Sequence, residues 1–406
     1  MKQLPGGVCA AKGFRAAATH AGVKAGSSPD KNDLALIFSE AECNAAGMFT
    51  TNRVKAAPVY VTMAHLESGV LRGVVVNSGN ANACCHLSHE HAEEVCAAAA
   101  KVLGVSPDDI AVGSTGVIGQ ELNAQAIIDA LPGLAQNLTK DGSDAAAHAI
   151  MTTDTKKKEI AVSFEVGGKT VKLGGIAKGS GMIHPAMGTM LCYLTTDCAI
   201  STEMLGDALH QVVPRTFNRV TVDGDTSTND TCLLMANGLA GNPLIEWKDE
   251  GYDAFVEALT EVCTYLAKHM AADGEGASRL ITCTVSSSRS EDAAERLSKS
   301  IVSSSLVKAA VFGADANWGR VVCAMGYSRA PFRPECVEVR FASAAGEIQV
   351  CYEGMQVLFD EDKAKAILSQ PEVEILVNVH EGSASATCWG CDLTYEYVHI
   401  NGDYRT

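Results

Sequence analysis

The stretch Lys178-Gly179-Ser180-Gly181-Met182-Ile183-His184-Pro185-Ala186-Met187-Gly188-Thr189-Met190-Leu191-Cys192 holds the most unusual junction in the chain, a glycine-rich loop running straight into an apolar segment. Thr189 stands at that junction, directly after the small residue Gly188. Strain at the Gly188–Thr189 peptide would let the Thr189 hydroxyl attack the preceding carbonyl, giving an ester that water cleaves. Hydrolysis leaves Thr189 as a new N-terminus. Its α-amino group, with an ordinary pKa of about 7.7–8.0, can then take the proton of its own hydroxyl near neutral pH, so one residue supplies nucleophile and base. On pattern alone, an ordinary β-branched threonine at the start of a buried strand is the favoured reading.

Two thiol clusters also carry chemistry. Cys84-Cys85-His86-x-x-His89-x-His91 offers soft metal ligands, and Cys388-x-x-Cys391 has redox spacing. A structural zinc site wants a second ligand pair, however, and a redox pair wants a strand-to-helix context, whereas Cys388 to Cys391 lies in a strand-like run. The 15 cysteines are odd in number and scattered, which reads as reduced thiols and not as a disulfide framework. No metal site is expected, and no glycine-rich dinucleotide or phosphate motif and no HExxH appears.

The elements that must position these groups mix strands and helices. Gly73 to Asn77 reads as a buried strand and His89 to Leu103 as a helix with acids at its start. Glu121 to Leu138 reads as a helix broken or kinked at Pro132. Glu159 to Val166 and Lys169 to Leu173 read as a hairpin turned by Gly167-Gly168. Thr189 to Thr195 is a strand, Asp253 to Met270 an amphipathic helix, Arg279 to Val285 a strand and Ser290 to Ser305 a helix. Strands then dominate from Cys336 to Glu353 and from Glu372 to Val379, with a short helix at Asp362 to Leu368. Without regular βαβ alternation, this pattern predicts an α+β fold.

Size and charge bound the function. A chain of 406 residues suggests two domains or lobes. The formal net charge of −16 repels a phosphate backbone, so nucleic acid is excluded as a partner. The uncharged run Gly179 to Thr196 is long enough to span a bilayer, but His184, Pro185 and its glycines make it a poor membrane helix. The N-terminus lacks the continuous apolar core of a secretory signal. A cytoplasmic protein with no membrane partner is expected.

The loop before Thr189 resembles the self-cleavage segment of ornithine acetyltransferases, also called bifunctional glutamate N-acetyltransferases. The likeness continues in order through Val76-Asn77-Ser78-Gly79-Asn80-Ala81-Asn82-Ala83, Gly113-Ser114-Thr115-Gly116-Val117-Ile118-Gly119, Met151-Thr152-Thr153-Asp154-Thr155, Asp223-Gly224-Asp225-Thr226-Ser227-Thr228-Asn229-Asp230, Asp273-Gly274-Glu275-Gly276-Ala277, Gly313-Ala314-Asp315-Ala316-Asn317-Trp318-Gly319-Arg320 and the terminal Tyr395 to Thr406. It covers essentially the whole chain and implies that the N-terminus belongs to the mature enzyme.

The resemblance implies an α/β/β/α layered sandwich, distinct in topology from N-terminal-nucleophile hydrolases. It implies self-cleavage into an α chain, residues 1–188, and a β chain, residues 189–406, assembled two of each. The implied activity moves acetyl from N-acetylornithine to glutamate through an ester on Thr189. No bound cofactor is implied, and in bifunctional members acetyl-CoA is a second donor. Thr115 and Gly116 match the oxyanion-hole pair, while Thr153, Lys178, Glu275, Asn401 and Thr406 match substrate-holding positions. Lys178 is the natural partner of an α-carboxylate, and Glu275 could orient or deprotonate the accepting amine. Each also has a plainer reading as a turn, cap or loop residue, and Asn80, Asn82 and the Asp223 to Asp230 block read as structural loop chemistry. A monofunctional transferase, or an amidohydrolase or aminopeptidase using the same threonine, is the alternative. Gly188 departs from the alanine more usual before the nucleophile, and its backbone freedom is expected to slow cleavage without abolishing it.

Overall fold

The computed structural model describes residues 1–24, 26–184 and 190–403. Strands β1 (Lys2–Leu4), β2 (Phe14–Thr19), β3 (Leu34–Phe49), β4 (Val70–Asn77), β5 (Ile110–Ser114), β6 (Lys158–Val166), β7 (Lys169–Lys178), β8 (Leu191–Thr196) and β9 (Thr231–Ala236) form one mixed sheet. Its order is β1-β6-β7-β8-β9-β3-β4-β5, with β2 also on β3. The 16 residues of β3 make this branching work: the first half pairs with β2 and β4, the register breaks between Phe38 and Cys43, and the second half pairs with β9. Gly167 and Gly168, both at positive φ, turn β6 into β7, where two-residue hairpins require left-handed backbone.

The sheet is buried on both faces, and the two-residue side-chain period of β8 shows it. Cys192 and Leu194 enter one core, shared with Phe164, Phe255 and Leu266, while Leu191 and Tyr193 enter another, shared with Phe14 and Ile37. Helices α1 (Ala57–His65), α2 (Ser88–Leu103), α3 (Ala124–Gln136) and α4 (Ser143–Ala149) serve the β2–β5 end. Helices α5 (Thr202–Val212) and α6 (Glu250–Ala272) close the core around Phe255.

The remaining strands, β10 (Leu280–Ser288), β11 (Glu338–Ser343), β12 (Gly346–Tyr352), β13 (Met355–Gln356), β14 (Glu372–Asn378) and β15 (Ala384–Cys391), form a second sheet in the order β13-β12-β11-β14-β10-β15. Helices α7 (Glu291–Ser303), α8 (Ser305–Phe312), α9 (Trp318–Gly326) and α10 (Glu361–Leu368) share its core, and α11 (Tyr395–Asp403) ends the described chain. The expected α+β layering is therefore present. Among the described residues no helix is long and apolar enough to cross a membrane.

Three expectations need correction. The helix around Pro132 is not broken: α3 runs through the proline and starts only at Ala124, because the Asn123 side chain caps it by accepting from Ala126 N–H. The helix expected from Ser290 to Ser305 is two, since Ser304 adopts an extended backbone and its hydroxyl accepts from Val307 N–H to start α8. Strand β8 begins at Leu191, and Thr189 lies outside the described residues.

The expected chain boundary between residues 188 and 189 does not separate folding units. Strand β8, which follows it, lies between β7, which precedes it, and β9.

Candidate active site

The site is built first from asparagines. Asn77 Oδ1 accepts from Ser114 Oγ at 2.6 Å, and Asn229 Nδ2 donates to the carbonyls of Ser114 at 2.8 Å and Ala81 at 2.6 Å. Thr115 N–H donates to the Asn77 carbonyl at 3.0 Å. These bonds fix the turn leaving β5, whose next residue, Gly116, has φ +132°. A Cβ there would stand 2.3 Å from the Gly79 carbonyl carbon, so only glycine fits. Among the described residues the Gly116 N–H has no acceptor, and it borders a cavity of about 280 Å³. A free backbone N–H beside a hydroxyl, in a turn this firmly held, is what an oxyanion hole requires.

Lys178, the last residue of β7, is buried and lines the same cavity. Its Nζ donates to Thr152 Oγ1 at 3.0 Å and to Thr115 Oγ1 at 3.3 Å. Behind it stands Asp154, which accepts from Lys158 Nζ at 2.6 Å and Gly179 N–H at 2.8 Å and lies 4.0 Å from Lys178 Nζ. Lys158 also donates to Asp273 at 2.6 Å. Burial alone would raise the Asp154 carboxyl, but the two ammonium groups outweigh it and hold it at about 2. The Lys178 pKa is lowered as well, but by burial, which disfavours its charged form and, joined by the neighbouring Lys158 ammonium, outweighs the pull of the Asp154 carboxylate.

The far wall comes from the C-terminal half. Glu275 follows α6, its N–H donates to the Ser180 carbonyl at 2.8 Å, and its Oε2 accepts from Asn401 Nδ2 at 2.7 Å. Thr153 Oγ1 and Ser180 Oγ share a hydrogen bond of 2.7 Å. The cavity thus collects Thr115, Gly116, Thr153, Lys178, Glu275 and Asn401, drawn from positions up to 286 residues apart. Gly188, Thr189 and Thr406 lie outside the described residues.

The ArgJ family model matches residues 15–406. The chain belongs to the ArgJ family. It is 48% identical over 407 residues to the arginine biosynthesis bifunctional protein ArgJ of Symbiobacterium thermophilum, covering all of both chains. It is 45% identical over 416 residues to the glutamate N-acetyltransferase of Methanocaldococcus jannaschii, again over the full length of both. Among solved structures, ArgJ of Bacillus halodurans matches at 43% identity with a TM-score of 0.50, covering 52% of this chain and 98% of that one.

Sequence reasoning missed several members of this ArgJ-family site. Thr152 and Tyr397 line the cavity, and Asp154 supports it from behind, while the Asp223 to Asp230 segment shapes the cavity as its loop chemistry allowed. Thr152 and Asp154 flank the singled-out Thr153, and their share in a matching block was the available signal. Asp223 does the loop work expected of its block, accepting from the N–H groups of Met182 at 2.6 Å and Ile183 at 2.9 Å.

The thiol clusters stay apart from this site. Among the described residues no group of three or more His, Cys, Asp or Glu stands together to hold a metal. Cys388 and Cys391 are three residues apart on β15, which puts them on opposite faces of the strand. Both are buried, and burial pushes the Cys388 thiol up to about 11.

Proposed function

We propose that this chain transfers the acetyl group of N-acetylornithine to L-glutamate, giving ornithine and N-acetylglutamate in arginine biosynthesis. The observation that carries this reading is the convergence on one cavity of Thr115, the Gly116 N–H, which has no acceptor among the described residues, Lys178 and Glu275, in a chain of the ArgJ family. Self-cleavage between Gly188 and Thr189 exposes the Thr189 α-amine, which takes the hydroxyl proton as Oγ attacks the acetyl carbonyl. Thr115 and Gly116 donate to the oxyanion. Collapse breaks the C–N bond, the proton passes to the departing ornithine nitrogen, and an acetyl ester remains on Thr189. The glutamate amine then attacks that ester by the reverse sequence.

Lys178 takes the α-carboxylate that both amino acids share, and Glu275 faces their α-nitrogen. Acetyl-CoA serves as a second acetyl donor, and no cofactor stays bound. Residues 1–188 and 189–406 remain joined through the shared sheet, two of each forming the working assembly in the cytoplasm. The matched Bacillus halodurans chain corresponds to 52% of this one, which supports a chain divided into two pieces of similar size.

The test is an assay with N-acetylornithine and glutamate, scoring N-acetylglutamate against free acetate. The expected outcome is N-acetylglutamate as the main product and no turnover by Thr189→Ala. Acetate as the main product would favour a hydrolase, and an active Thr189→Ala variant would end the proposal.

A further inference from the structure

Acetyl transfer leaves Asp230 without a role. Its residue is 2% exposed, and among the described residues its Oδ2 has no hydrogen-bond partner. A buried carboxyl oxygen left unmatched is costly, which calls for an explanation. The backbone fixes where it sits. The Asp230 carbonyl accepts from Thr50 N–H at 3.0 Å, and the next N–H, of Thr231, donates to the Met190 carbonyl at 2.9 Å. Asp230 is therefore held beside Met190, the residue bonded to Thr189.

A small cavity of about 10 Å³ opens at Asp230, lined by Thr115, Lys178, Met190, Leu191, Ser227 and Asn229. That is room for one water, and its walls are polar enough to hold it. Thr115, Lys178, Ser227 and Asn229 border the main cavity as well, so the water stands next to the oxyanion turn. Among the described residues Lys178 is the charged group facing Asp230, while Thr50, Thr115, Ser227 and Asn229 are uncharged. Burial raises the Asp230 carboxyl well above the usual range, against the pull of the Met190 N–H, Lys178, the Thr50 hydroxyl and its own backbone N–H.

We infer that Asp230 is the general base for the hydrolytic step of self-cleavage, acting on a water held in this small cavity. The inference rests on the self-cleavage reading above. Attack of Thr189 Oγ on the Gly188 carbonyl breaks the peptide C–N bond, the hydroxyl proton passes to the departing nitrogen, and an ester with a free α-amine results. The water then attacks the ester carbonyl while Asp230 takes its proton. Collapse breaks the ester C–O bond, and Asp230 returns that proton to Thr189 Oγ, leaving a free threonine hydroxyl and a Gly188 carboxylic acid, which gives its remaining proton to solvent and becomes a carboxylate. Thr115 and Gly116 can hold the oxyanion of this step as they do in acetyl transfer.

The experiment follows cleavage of freshly synthesised, pulse-labelled full chains of wild type and Asp230→Asn. The variant is expected to cleave about 100-fold more slowly or worse, the usual scale of a lost general base. Hydroxylamine added to the folded, stalled chain should split it between Gly188 and Thr189, since it attacks an ester without needing that base. Cleavage of the variant at the wild-type rate would overturn the inference, and so would a stalled chain that hydroxylamine leaves intact. Should Asp230→Asn lose its circular dichroism, the wild-type chain decides: its cleavage rate should climb with pH through a midpoint above the ordinary carboxylate range, and a flat profile would overturn the inference. A wild-type chain that never splits at this bond overturns the self-cleavage reading as well, whereas a split wild type matched by Asp230→Asn overturns the role of Asp230 alone.

Discussion

Lys178 Nζ donates to Thr115 Oγ1 across 3.3 Å, and this bond sets what the threonine hydroxyl can do. An ammonium group has no lone pair to offer, so Thr115 must accept from it and its own hydrogen is left for another partner. The cavity is on the open side of Thr115. Under the proposed function Lys178 would thus act twice, as the carboxylate partner of the substrate and as the group that leaves Thr115 free to donate.

Replacing Lys178 with Met should therefore damage both roles. We expect kcat/KM to fall by about 10²–10³-fold, the usual scale for a lost oxyanion donor, with an added rise in KM for glutamate. Steady-state kinetics at several glutamate concentrations check this, and a change confined to KM would remove the link to Thr115. Thr115→Val should lower kcat by a similar factor with KM nearly unchanged.

Gly116→Ala should fail differently. The added methyl would meet the Gly79 and Asn80 backbone at 2.3–2.7 Å, and φ +132° is hostile to any side chain. Loss of the held turn should appear as reduced thermal stability together with lost activity. A variant with normal melting and only slower turnover would contradict this account of the turn.

The buried cluster of Asp154, Lys158 and Asp273 predicts an acid limb in stability. Because the fold holds Asp154 at about 2 against an ordinary 3.8, the native state binds its proton less tightly than the unfolded chain. Its stabilisation is complete above about pH 4 and is lost as pH falls towards 2. Asp154→Asn should flatten that limb and lower stability at neutral pH by about 3–5 kcal/mol, as breaking a buried pair does. Denaturant titrations of both proteins across pH 2–7 measure both effects.

Helix α11 buries no side chain yet brings Asn401 to Glu275. Stopping the chain after Thr394 should leave the melting temperature almost unchanged while raising KM for glutamate about 10-fold, a loss of about 1.4 kcal/mol of binding. Parallel melting and kinetic curves test this, and a large drop in melting temperature would make the tail a structural element instead.

Much of this was legible in the sequence because local patterns carry local structure. The Gly167-Gly168 hairpin, the α2 helix and the α+β class follow from turn residues and periodicity. The cavity residues were legible only through the ordered motifs, since Lys178 and Glu275 are 97 positions apart and nothing in spacing joins them. Lys158 could not be read at all. Its pairing with Asp273 depends on how β6 lies under α6, a tertiary relation that leaves no periodic trace. Asp230 was hidden for the opposite reason: it sits in a run of Asp, Asn, Ser and Thr that looks like ordinary turn chemistry, and what sets it apart is its burial and a carboxyl oxygen with no partner among the described residues.

The central claim is that Thr189 becomes a free N-terminus and carries the acetyl group. Intact mass spectrometry of the denatured protein, before and after incubation with N-acetylornithine alone, tests it most directly. The account predicts two fragments, residues 1–188 and 189–406, with the second gaining one acetyl group on incubation, and a single unmodified chain for Thr189→Ala. A single wild-type chain, or an acetyl group on any other residue, would contradict it.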